Sequence, residues 1–113
     1  MRFALAIFMA LTVLAAVHAQ DAVNTIEIVL QKGQYSPDHI EVQKGEKIRL
    51  QLKSMDVTHG FAIDEFKIAK EVSPGPATIV EFTPDQAGTF YYYCVVRCGK
   101  NHKQMRGTLV VKE

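Results

Sequence analysis

Tyr93-Cys94-Val95-Val96-Arg97-Cys98-Gly99-Lys100-Asn101-His102-Lys103-Gln104-Met105 joins two runs with strand character, Thr89 to Val95 and Gly107 to Lys112. The segment contains both of the chain's 2 cysteines, and His102 and Met105 follow closely behind. Thiolate, imidazole and thioether form the soft donor set with which proteins hold copper. One copper needs only one of these cysteines, so the pair implies two metals bridged by two sulfurs. A second imidazole is available upstream, from His59 in Asp56-Val57-Thr58-His59-Gly60-Phe61. The donor set points to electron transfer.

Working outward, the chain reads as short strands divided by turn signals. Asn24 to Gln31 alternates Ile26, Ile28 and Leu30 against polar neighbours, and Ser36-Pro37 breaks the run between Gln34 and Asp38. Ile40 to Val42 is a second strand. Lys47 to Lys53 has the clearest period of two, with Ile48, Leu50 and Leu52 on one face. Asp64 to Val72 reads as a looser region before Ser73-Pro74-Gly75-Pro76, a firm turn. Thr78 to Phe82, Thr89 to Val95 and Gly107 to Lys112 complete the set. No segment carries a helical period. The spacing predicts an all-β antiparallel sandwich or Greek-key barrel. It places His59 at a strand end, at the same pole as the Cys94 to Met105 loop.

A chain of 113 residues with 48% hydrophobic content makes one domain with a modest core. Residues 1–19 read as a signal peptide: Met1-Arg2 is a basic start, Phe3 to Val17 is apolar apart from Thr12, and Val17-His18-Ala19 offers small residues for cleavage. An uncleaved anchor is the alternative, at the short limit for a bilayer. The folded domain is then 20–113, exported to the periplasm or its equivalent, with membrane contact only if the leader stays attached.

Lys and Arg number 13 against 12 Asp and Glu, and Arg2 leaves with the leader, so the mature chain is balanced. That balance argues against a nucleic-acid partner. Arg97, Lys100, Lys103 and Arg106 nevertheless cluster without an acid between them. They read either as a solvated loop or as a docking face for a redox partner with an acidic surface. A purely structural Cys94–Cys98 disulfide would close a very small loop and leave His102 and Met105 unexplained. A Cys2His2 zinc shell is conceivable from Cys94, Cys98, His102 and His59, but the methionine favours copper. Nothing pairs a general base with a nucleophile, so an enzyme acting alone is not indicated.

Cys-x3-Cys-Gly-x2-His-x2-Met, preceded by Asp-Val-x-His, resembles the dinuclear copper (CuA) domain of cytochrome c oxidase subunit II, and nitrous oxide reductase carries a related domain. Ser73-Pro74-Gly75, Ala87-Gly88-Thr89-Phe90 and Gly107-Thr108-Leu109-Val110-Val111 extend the likeness. The resemblance implies a cupredoxin-like fold and a CuA-type centre of two copper ions. It implies that Cys94 and Cys98 bridge both coppers, that His59 binds one and His102 the other, that Met105 is a weak axial ligand, and that the Val96 carbonyl is its counterpart. In the family a glutamate often stands where this chain has Val96; a main-chain ligand tolerates the change. Phe61, Phe90 and Tyr92 read first as ordinary core packing and second as side chains that exclude water from the site, and Asp56 either tethers the His59 loop or simply forms a turn. His39 is expected at the surface.

The chain differs from that family in having no tryptophan to admit electrons, with Tyr91, Tyr92 and Tyr93 as possible substitutes, and in a basic rather than acidic loop. Three functions follow: a free-standing electron carrier, a copper storage or delivery protein, or a mononuclear blue-copper protein using His59, Cys98, His102 and Met105.

Overall fold

Alternating apolar side chains settle the register of the strands. In chain order these are β1 (Asn24–Gln31), β2 (Gln34–Ser36), β3 (His39–Gln43), β4 (Ile48–Ser54), β5 (His59–Ile63), β6 (Ile68–Val72), β7 (Thr78–Phe82), β8 (Gly88–Tyr93) and β9 (Arg106–Lys112). The computed structural model describes residues 22–95 and 104–113; the expected leader and the segment 96–103 lie outside the described residues. The strands form two sheets, ordered β2-β1-β4-β7 and β3-β9-β8-β5-β6. The all-β sandwich expected from the sequence is the fold observed.

Ile48, Leu50 and Leu52 of β4 are wholly buried, while Arg49 and Gln51 between them are only half-buried. Each such aliphatic side chain contributes roughly 2 kcal/mol relative to leaving it in water. The register aligns Ile26 with Leu50 and Ile28 with Leu52 across β1 and β4. The second sheet answers with Phe90, Tyr92, Leu109 and Val111 in one continuous core.

Two parallel pairings, β1 with β4 and β3 with β9, correct the purely antiparallel expectation. Strand alternation reports which face is buried and carries no information about partner direction. Gln34–Ser36, read as a break, is instead a strand paired with β1. The connection is the two-residue turn Lys32-Gly33, both at positive φ (53° and 70°), the geometry that matches strand twist in a hairpin. Ser36-Pro37, a cis peptide, follows this edge strand, where a proline withholds no needed donor. The loose region Asp64 to Val72 resolves into one 3-10 turn, Asp64–Phe66, and the edge strand β6. Exposed Lys70 shares a face with buried Ile68 and Val72, which blurred the alternation.

Across β8 and β9 Tyr92 stands opposite Gly107, and a Cβ at Gly107 would fall 2.0 Å from the Tyr92 ring. Tyr92 is wholly buried and donates its hydroxyl to the Pro37 carbonyl at 2.9 Å, so the ring has no simple retreat. Gly107→Ala is expected to cost about 3 kcal/mol of stability through overpacking. Urea unfolding checks this, and an unchanged midpoint would contradict the close approach.

Candidate metal centre

The ladder between β8 and β9 ends with Tyr93 opposite Arg106. Cys94 and Met105 therefore flank its last pair, one just past the end of β8 and one just before the start of β9. Both are buried, at 5% and 1% exposure. They line a common cleft of about 540 Å³ with Asp64, Tyr93 and Arg106.

β5 brings the histidine to the same pole. On one side β5 pairs with β6 along its whole length, but its pairing with β8 is recorded at Ala62 and Tyr93. Nearer the pole, the Gly60 N–H donates to Cys94 Sγ at 3.2 Å instead. His59, the residue before Gly60, is wholly buried.

The turn from β4 into β5 is organised around Asp56. Its carboxylate accepts the Val57 N–H at 2.7 Å, the Lys32 N–H at 2.8 Å and the His59 Nε2–H at 2.6 Å. The Ser54 hydroxyl closes the same turn by donating to the Val57 carbonyl. Partial burial pushes the Asp56 carboxyl upward, but the Lys32 N–H, His59 and the Val57 N–H together outweigh it and hold the pKa at about 2. The carboxylate is thus ionised at neutral pH, both tether and turn former, which joins the two readings the sequence left open.

An ionised acceptor fixes the imidazole: Nε2 carries the proton and Nδ1 is turned away from Asp56. That Nδ1 is buried and has no hydrogen-bond partner among the described residues. A buried ring nitrogen without a partner is costly. A metal ion satisfies it, and a histidine held through its other nitrogen by a carboxylate is a recurrent arrangement for metal ligands. With a buried thiol and thioether beside it, this donor set fits copper.

Three of the donors named from the sequence, His59, Cys94 and Met105, thus gather at one pole. Cys98, His102 and Val96, with Arg97, Lys100 and Lys103, lie outside the described residues, and among the described residues no three His, Cys, Asp or Glu side chains form a cluster. Arg106 is exposed, its guanidinium 3.8 Å above the Tyr91 ring. The three tyrosines separate in role. Tyr91 is 44% exposed, Tyr92 is core, and the half-buried Tyr93 donates to Asp64 Oδ1 at 2.6 Å. That bond, before the lesser effects of burial and the acidic neighbours, raises the Tyr93 phenol above its usual range. Phe61 and Tyr92 pack with Tyr35, and Phe90 packs on Phe66 from the 3-10 turn, the core packing that the sequence reading put first. His39 is exposed and pairs with Glu41. Sequence reasoning missed Tyr35, whose hydroxyl donates to the Gly60 carbonyl at 2.7 Å; an aromatic residue between polar neighbours in a supposed break was its only signal.

Comparison with known proteins agrees with this architecture. The chain is 40% identical over 79 residues to cytochrome c oxidase subunit 2 of Thermus thermophilus, a match covering 70% of this chain and 58% of the relative. It is 33% identical over 92 residues to nitrous-oxide reductase of Ralstonia nicotianae, covering 78% of this chain but 14% of that enzyme. The chain therefore spans less than two thirds of either relative. The periplasmic domain of subunit II of cytochrome oxidase from Bradyrhizobium japonicum superimposes with a TM-score of 0.73 over 80% of this chain and 84% of that one, at 23% identity, a likeness of fold. The cupredoxin-like domain matches residues 3–111, nearly the full sequence, and on that ground the chain belongs to the cupredoxin-like family.

Proposed function

We propose that this domain is an extracytoplasmic single-electron carrier with a dinuclear copper centre of the CuA type. The observation that carries the reading is His59, with Nε2 clamped by Asp56 and a buried Nδ1 that has no partner among the described residues. The Nδ1 of His59, the thiolates of Cys94 and Cys98, His102, Met105 and the Val96 carbonyl would hold the metal. When bound, a copper pair supplies a reversible one-electron couple. The likeness to cytochrome c oxidase subunit 2 supports the same chemistry, and the apolar leader supports export.

The chain's own contribution is rigidity and exclusion of water. His59 starts β5 and Cys94 follows the last residue of β8, both buried, with Phe61 and Tyr92 in the same core. Donors that do not move when an electron arrives keep the reorganisation small. Arg97, Lys100, Lys103 and Arg106 offer positive charge to an acidic donor or acceptor protein.

Copper loading under oxidising conditions, followed by paramagnetic resonance and visible spectroscopy, tests the reading. A purple protein with hyperfine splitting from two equivalent coppers is expected; a blue protein would indicate a mononuclear centre, and rapid loss of copper a delivery protein. Cys94→Ser is expected to collapse the spectrum, whereas a nearly unchanged spectrum would make Cys94 a bystander.

Asp56→Ala frees the His59 ring and is expected to weaken copper binding roughly 10- to 100-fold, as loss of a ligand's supporting partner does. Competition with a copper chelator measures this, and an unchanged affinity would remove Asp56 from the site. Lys100→Glu combined with Lys103→Glu is expected to slow reduction by an acidic partner at low salt, the difference fading as ionic strength rises. Equal rates at every salt concentration would exclude the basic loop as a docking face.

A further inference from the structure

Gly60 stands between the histidine and the cysteine, and both of its main-chain polar groups are taken by side chains. Its N–H donates to Cys94 Sγ at 3.2 Å and its C=O accepts the Tyr35 hydroxyl at 2.7 Å. In an extended strand the N–H and C=O of one residue project toward the same edge. Fixing one therefore fixes the direction of the other. Here the edge is the one facing β8, beyond the recorded pairing of Ala62 with Tyr93.

Tyr35 is well placed to do the fixing. It belongs to β2, at the edge of the opposite sheet, so its hydroxyl crosses the sandwich to reach β5. It is only 4% exposed. Its ring is held edge-on by Tyr92 at 5.0 Å and by Phe61 at 5.9 Å, contacts that restrict where the hydroxyl can lie. A hydrogen bond to a thiolate withdraws electron density from the sulfur and weakens its donation to a metal. That raises the reduction potential of a centre the sulfur ligates.

We propose that Tyr35 is a positioning residue for the Cys94 sulfur: by pinning Gly60 it aims the Gly60 N–H at Sγ and so sets the reduction potential of the centre. The potential part of this inference rests on the copper reading above; the geometric part does not.

Tyr35→Phe keeps the ring and removes only the hydroxyl. In the metal-free, ¹⁵N-labelled chain the Gly60 amide is expected to exchange with solvent roughly tenfold faster, measured against the Leu50 amide so that a general loss of stability cancels. In the copper-loaded chain the reduction potential is expected to fall. Val42→Ala is the control, because it loosens the core where β3 pairs with Val111, at the end of the sheet away from Cys94, and leaves the Tyr35 hydroxyl in place. It should leave both readings at the wild-type value. An unchanged Gly60 amide in Tyr35→Phe overturns the inference, as does an unchanged potential or a Val42→Ala variant that shifts both readings equally. A wild-type chain that forms no copper centre would sink the electron-carrier reading, and the amide measurement would still decide whether Tyr35 aims the N–H.

Discussion

The carboxylate of Asp56 collects donors from three places: the N–H of Lys32 at the β1–β2 hairpin, the N–H of Val57 in its own turn, and the ring of His59 at the start of β5. One ionised side chain thereby ties the entry of β5 to the opposite sheet and orients the imidazole. Hydrogen bonds to a charged acceptor are worth about 1.5–3 kcal/mol each, against about 1 for neutral ones. The donors come from main chain and a buried ring rather than from flexible lysines, so little side-chain entropy opposes the clamp. The rest of the pole follows. With His59 fixed, Gly60 comes next along the strand, and its two polar groups reach Cys94 and Tyr35.

A second constraint comes from β8 and β9. Gly107 lets the Tyr92 ring lie across the strand, and Tyr92 in turn anchors the segment after β2 through Pro37. The same two strands present Cys94 and Met105 one residue beyond their last pair. Donor positions are therefore set by a sheet that is itself locked by core packing. Shallow, mobile ligands suit a protein that hands its metal on; His59, Cys94 and Met105, with 0–5% exposure at strand ends, suit the proposed carrier, which would keep it.

Much of this was legible in the sequence because it rests on local patterns. Period-two alternation marks β1 and β4, and the expected placing of His59 at the pole where Cys94 and Met105 lie is what the structure has. What stayed hidden depends on tertiary direction. The parallel pairing of β1 with β4 has no local signature. The Lys32-Gly33 turn lacks the Asn-Gly or Asp-Gly dipeptide that announces a two-residue hairpin. Tyr35 looks like an isolated aromatic residue until the fold carries it across the sandwich to Gly60. Asp56 was legible as a turn former, but only the structure shows one carboxylate serving three donors at once. The three consecutive tyrosines could not be ranked from sequence, since burial alone distinguishes them.

Charge at the pole is also less uniform than the sequence suggested. Arg106 is held over Tyr91, a contact that fixes the position of its charge. It borders the same cleft as Asp64 and Glu65. The acidic partner proposed above would therefore meet both signs near Cys94 and Met105. Screening limits exposed charges to a range of about 8 Å at physiological salt, so a pair of opposite charges beside the cleft acts mainly at close approach. There it discriminates between orientations more than it adds attraction. For the carrier proposed above, which would bring a centre near its partner and then release it, orientation without tight binding is the useful half of electrostatics.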